Sequence, residues 1–232
     1  VLRLHELGVK MPDIVFFDTG WEFPEMDAHI AQVEDIIKQK ITRLIPRENF
    51  DFLFARKIRV KKSAYAFPGY GWPSAPRRWC TGQKQRAMDA HAKALTWRGI
   101  ALPVIQCIGY AADEPKRVEK HSQLKPSRFQ GYDYPMVAWG VTESQALKYC
   151  KERGLFWNGL YDIFDRVSCW CCPLGGVSNA EKIYRYFPAL WQRMLEMESW
   201  LPENYRRYTG KHTVSDLDRR FSEKNANSRQ AA

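Results

Sequence analysis

No stretch of the 232 residues approaches the roughly 18 consecutive apolar side chains that a spanning helix needs, and the mean hydropathy is −0.50, so a helical membrane span is excluded. The opening Val1-Leu2-Arg3-Leu4-His5-Glu6 lacks both the apolar core and the cleavage signature of an export peptide, which makes the cytoplasm the expected compartment. Internal repeats are absent, which excludes a solenoid. The histidines His5, His29, His91, His121 and His212 include no pair at metal-ligand spacing and are assigned to surface or capping roles, with His212 set apart by its basic C-terminal surroundings. Acid is missing from one long segment: between Phe52 and Met88 there is no Asp or Glu.

That segment carries instead Arg56, Lys57, Arg59, Lys61, Lys62, Arg77, Arg78, Lys84 and Arg86, nearly the whole of the net charge of +10. Interleaved with them are Phe52, Phe54, Tyr65, Phe67, Tyr70, Trp72 and Trp79. Cations attract phosphate and aromatic faces stack bases, so a nucleotide or a nucleic acid held by Arg56–Arg86 suits the stretch. The alternative is a solvated basic loop whose aromatics turn into the core. At 45% hydrophobic the chain can bury a core of its own, and a single domain over 1–222 is expected. The polar end, 223–232, is read as a tail that buries too little to order.

Hydrophobic periodicity gives the coarse order of elements. Leu2, Leu4 and Leu7 before Gly8 read as the end of a helix, and Asp13-Ile14-Val15-Phe16-Phe17 as a short strand. Met26, Ile30, Val33, Ile37 and Ile41 form a helical stripe after Pro24. Val104–Ile108 is a strand candidate, and 135–139, beginning at its proline, a weaker one. Thr142 and Gln145 make a capping box for a helix from Glu143 to Arg153, Ser178 and Glu181 repeat that spacing, and Pro188 opens another helix. The alternation predicts an α/β fold: a doubly wound, mostly parallel sheet with helices on both faces and a mainly helical C-terminal part. Ligands bind beyond the carboxyl ends of such strands, which selects Asp18-Thr19-Gly20-Trp21-Glu22 and Gly109-Tyr110-Ala111-Ala112-Asp113 as candidates. Ordinary turn chemistry is the competing explanation for both.

Of six cysteines, Cys107 and Cys150 fall inside apolar elements and are assigned to packing. Cys169, Cys171 and Cys172 place three thiols within four residues ahead of Pro173, a metal or cluster signal. Cys80 is the natural outlying ligand, with Cys171 or another donor as the fourth. A [4Fe–4S] cluster, a structural Zn²⁺ and a redox dithiol all remain open on spacing alone, zinc slightly ahead although a second C-x-x-C is missing.

Phe17-Asp18-Thr19-Gly20-Trp21-Glu22-Phe23-Pro24-Glu25 resembles the DTG-x-x-FPE signature of the phosphoadenosine phosphosulfate (PAPS) reductase family, within the adenine-nucleotide α-hydrolase or PP-loop superfamily. Arg78-Trp79-Cys80-Thr81, Gly109–Arg117 and Cys169–Leu174 resemble further motifs of that family, in the same order. The resemblance implies that Asp18, Thr19, Gly20, Trp21 and Glu25, with Gly109 and Glu114, lie near an adenine nucleotide, ATP or PAPS. It implies Asp113 and Arg117 as catalytic groups at the phosphate or sulfate end, where a guanidinium offers a fixed charge and a planar fork. It also implies a [4Fe–4S] cluster on Cys80, Cys169, Cys172 and Cys171, in place of zinc.

Three departures accompany the match. The serine-glycine-glycine-lysine-aspartate-serine phosphate loop and its strand, which open the family's fold, do not precede Val1 and are expected to be missing from this chain. Trp79 stands where cluster-bearing reductases have the first cysteine of a pair. No cysteine follows Cys172, so the reductases' C-terminal nucleophile has no counterpart. The expected function is an adenine-nucleotide-binding enzyme of sulfur or phosphosulfate chemistry. The alternatives are a nucleic-acid-binding or modification-associated module with a structural metal site, and an inactive family member serving as a scaffold.

Overall fold

Leu2 is buried at the start of α1 (Leu2–Glu6), and Gly8 at φ +69° supplies the left-handed stop the sequence promises. The computed structural model describes residues 1–56, 58, 59, 66, 67, 69–101, 103–123 and 128–230. After α1 come β1 (Val15–Phe17), α2 (Glu25–Ile37), β2 (Thr42–Leu44), α3 (Phe50–Ala55), β3 (Ile58–Arg59), β4 (Ala66–Phe67) and α4 (Trp79–Trp97). Then follow β5 (Val104–Cys107), α5 (Pro115–Ser122), β6 (Gln130–Asp133), α6 (Pro135–Ala138), α7 (Glu143–Lys151) and α8 (Leu160–Ile163). Helices α9 (Gly176–Tyr186), α10 (Pro188–Ser199) and α11 (Val214–Gln230) complete the chain, the last running on into its polar end.

The doubly wound parallel sheet is not formed. Among the described residues the strands pair only in twos, β1 with β2, β3 with β4 and β5 with β6, and none exceeds four residues. One parallel pair survives from the expectation, with Val104 opposite Gln130 and Cys107 opposite Asp133 across the connecting α5. The proline-led segment assigned to a strand is helix α6, because Pro135 costs nothing in a first turn whose N–H groups lack intrahelical partners. Ser178 lies inside α9 and caps nothing, whereas Thr142 and Gln145 form the reciprocal capping box on α7. Among the described residues no helix is long and apolar enough to cross a membrane.

The chain divides into two compact units: Val1–Val15 with Asp27–Leu44 and Lys84–Asn158, and Phe16–Met26 with Ile45–Gln83 and Gly159–Ala232. The first holds Leu2, Ile14, Ile37 and Leu155 in one cluster, with Val33, Ile41 and Cys150 packed against it. Of its histidines His5 is exposed, as expected, but two others are engaged inside the unit: His91 Nε2 meets Asp13 Oδ2 at 2.6 Å, and His29 stacks on Trp157 with ring centres 4.5 Å apart. Cys107, assigned to packing, is exposed.

The second unit is built on aromatic rings. Trp21 meets Phe50, Phe54 and Trp79 edge-on at 5.3, 5.7 and 5.8 Å. Its indole N–H donates to Asp51 Oδ1 at 2.8 Å, and Arg193 donates to Asp51 Oδ2 at 2.8 Å. Farther along the chain, Trp191, Met194 and Met197 of α10 and Val214, Leu217 and Phe221 of α11 are buried, and α9, α10 and α11 contact one another. Buried Glu198 accepts N–H bonds from Val214 and Ser215, so a carboxylate answers the first donors of α11.

Candidate functional site

In the second unit, the loop after β1 is closed by its own polar side chains. Gly20 N–H donates to Asp18 Oδ1 at 2.9 Å and Trp21 N–H to Thr19 Oγ1 at 3.0 Å, with Gly20 at φ +77°. Glu22 turns back on Thr19, accepting from its N–H at 3.0 Å and its hydroxyl at 2.7 Å. The cysteine loop is pinned to this one, since Trp170 N–H donates to the Trp21 carbonyl at 3.1 Å. As a result Cys169 Sγ lies 3.9 Å from Glu22 Oε1 and 3.8 Å from Thr19 Oγ1.

Cys172 N–H donates to the Cys169 carbonyl at 3.0 Å, a single turn that brings both cysteines to the wall of one small cavity. Phe23, Arg166, Asn179 and Tyr208 share that wall. The cavity measures about 10 Å³, about the least space that holds one water. Burial pushes the Cys169 thiol up to about 12, with the Glu22 carboxylate adding to the rise. Burial likewise raises the Glu22 carboxyl, against the hydrogen bonds from Thr19 that pull it back, and raises Cys172. Cys80 is close enough for its charge to act on both Cys169 and Cys172.

The metal assignment is corrected. Among the described residues no group of three or more His, Cys, Asp or Glu side chains is arranged to hold a metal ion. Cys171, expected as a ligand, is 1% exposed and joins the core. Cys169 and Cys172 line the cavity and Cys171 does not. The cluster, its zinc alternative and the PP-loop sheet that would frame them therefore do not fit the described arrangement.

The remaining expected residues divide between the units. Asp18, Thr19, Gly20, Trp21 and Glu25 belong to the second, where Glu25 Oε2 is buried without a hydrogen-bond partner. Gly109, Asp113, Glu114 and Arg117 belong to the first. There Asp113 Oδ1 accepts the Glu143 N–H at 3.0 Å at the start of α7. Arg117 pairs with Glu114 and lies 4.6 Å over the Tyr110 ring. Of the basic aromatic stretch, Lys57, Lys61, Lys62 and Tyr65 lie outside the described residues. Phe54 and Trp72 are buried, as the core alternative has it, while Phe52 and Tyr70 are exposed. Sequence reasoning included Glu22 in a candidate loop without giving it a role, and left Tyr208 out of the site. The Thr-x-x-Glu spacing carried a signal for Glu22, being the spacing of a side chain that reaches back to a hydroxyl, but nothing in the sequence pointed to Tyr208.

The chain is 30% identical over 224 residues to an uncharacterized protein of Methanocaldococcus jannaschii, a match covering 93% of this chain and 40% of that relative. It thus spans about two fifths of the length of the curated relative it matches. No family model matches the chain. No solved structure matches it either.

Proposed function

We propose that the chain is a PAPS reductase-like enzyme that handles sulfur by thiol chemistry at Cys169, with an adenine nucleotide as the carrier of the sulfo group. The observation behind this reading is the approach of Cys169 Sγ to Glu22 Oε1, 3.9 Å, in a cavity that Cys172 also lines. A thiol raised to about 12 is protonated at neutral pH, so it needs a base, and a carboxyl raised by burial is a better base than an ordinary one. Glu22 takes the proton as Cys169 attacks the sulfo sulfur, the S–O bond breaks, and the nucleotide leaves on its phosphate oxygen. Cys172 then attacks Cys169 Sγ, its proton passing to the sulfite that departs with the electron pair, and two thiols become one disulfide. Arg166 on the cavity wall offers positive charge to the sulfo oxygens.

The test is a single turnover with PAPS. Cys169→Ser should release no sulfite, and Cys172→Ser should accumulate a sulfo adduct on Cys169, seen by mass spectrometry of the peptide. Glu22→Gln should slow the first step by roughly 10²-fold or more. Undiminished sulfite release by Cys169→Ser overturns the proposal. So does stoichiometric iron or zinc in anaerobically purified protein, because coordinated sulfurs are not available for attack.

A further inference from the structure

The second unit also presents an outer face whose charge and rings the thiol chemistry does not use. Tyr70 is 38% exposed, and its ring lies 5.4 Å from that of Trp79 at 16°, a stacked pair with one face open. The pair is held rigidly. Tyr70 N–H donates to the Leu53 carbonyl at 2.9 Å, Gly71 N–H to that of Phe54 at 3.0 Å, and the Trp79 indole to the Gly71 carbonyl at 3.1 Å. Gly69 makes the approach possible: at φ +117° a Cβ there would stand 2.2 Å from the Phe54 carbonyl oxygen.

Arg77 and Arg78 follow on the same segment, both exposed, after a turn closed by reciprocal backbone bonds between Ser74 and Arg77 of 3.3 and 3.0 Å. The first turn of α4 brings no acid to them. A second basic turn packs against this segment. The Trp72 and Tyr208 rings meet at 5.0 Å, and a Cβ on Gly71 would lie 3.5 Å from the Tyr205 carbonyl. Tyr208 is flanked by Arg207, and the turn Thr209–His212, closed by a 2.9 Å bond from His212 N–H to the Thr209 carbonyl, carries Lys211. Arg207 and Lys211 are exposed, and among the described residues neither they nor Arg77 and Arg78 have an acidic partner.

We propose that this face binds single-stranded nucleic acid, with a base stacked on Tyr70 and backbone phosphates paired with Arg77, Arg78, Arg207 and Lys211. An open aromatic face requires an unstacked base, which a single strand supplies and a duplex does not. Cations spread over two turns match a chain of phosphates. The proposal stands apart from the thiol chemistry.

Fluorescence anisotropy of the full chain with a labelled single-stranded oligonucleotide tests it, with its duplex and ATP as competitors. The expected result is binding that weakens steeply with salt. Replacing Arg207 and Lys211 together by Ala should reduce the slope of log K against log salt by about 1.4, two contacts at about 0.7 each. Tyr70→Ala should weaken binding about tenfold, while Tyr70→Phe, which keeps the ring stacked on Trp79, should bind as the native chain does. Unchanged slope and affinity in the Ala variants overturn the proposal, as does displacement by ATP or duplex as effective as that by the unlabelled strand. Cys169→Ser should bind normally, so this face and the thiol mechanism fail separately.

Discussion

A thiol next to a carboxylate is an awkward neighbour. Burial is the main cause of the rise of Cys169 to about 12, the Glu22 charge adding to it, and burial raises Glu22 as well, with the Asp18 charge adding there. The consequence can be measured by alkylation. Exposed Cys107 should react at lower pH than Cys169, which reacts only as the pH nears 12. Glu22→Gln removes the negative charge, so the alkylation midpoint of Cys169 should move down by a readable fraction of a pH unit or more. An unmoved midpoint would mean that burial alone sets it. Fully buried Cys171 should resist reagent until the chain unfolds. At this scale the sequence was legible in part. Cys169 and Cys172 were marked by their spacing, but whether Cys171 joins them or points away stayed open, because a list of thiols carries no direction.

Among the elements, helices were read best where an end signal and a periodic stripe coincide. Thr142 and Gln145 cap α7 as their spacing requires, and Gly154 follows at φ +77°. Thr142→Ala removes the side-chain acceptor of the Gln145 N–H and should cost about 1 kcal/mol, read from a chemical denaturation midpoint. No change would mean that the helix end is held by Asp113, whose carboxylate accepts from Glu143. Short strands were read worse. Val104–Cys107 was marked by its apolar run, yet its partner is Gln130–Asp133, a polar stretch with no strand signature, while the apolar residues just beyond it form α6. Two residues fewer or more decide such elements, and tertiary pairing outweighs their propensity.

For the molecule as a whole, stability against acid gathers what individual side chains lose. Burial against Trp157 lowers His29 from 6.5 to about 4, so between those values the folded chain binds fewer protons than the unfolded one. Stability from this group is therefore complete above pH 6.5 and is lost as the pH falls toward 4. His29→Phe keeps a ring on Trp157 without the charge, and its thermal midpoint should fall less than that of the native chain over this window. Parallel curves would show that other groups govern the acid limb.

The sequence alone determined the charge, the acid-free segment between Phe52 and Met88, the apolar stripes of the helices and the pairing of Cys169 with Cys172, because composition and period are local properties. Only the tertiary structure decided that the strands stop at pairs, that Cys171 turns inward, and that Glu22 and Tyr208 attend the thiols. These depend on which distant segments meet, as when Trp170 binds the Trp21 carbonyl 149 residues earlier in the chain (170 − 21). No local pattern encodes such a meeting, since its free energy comes from burying both partners at once.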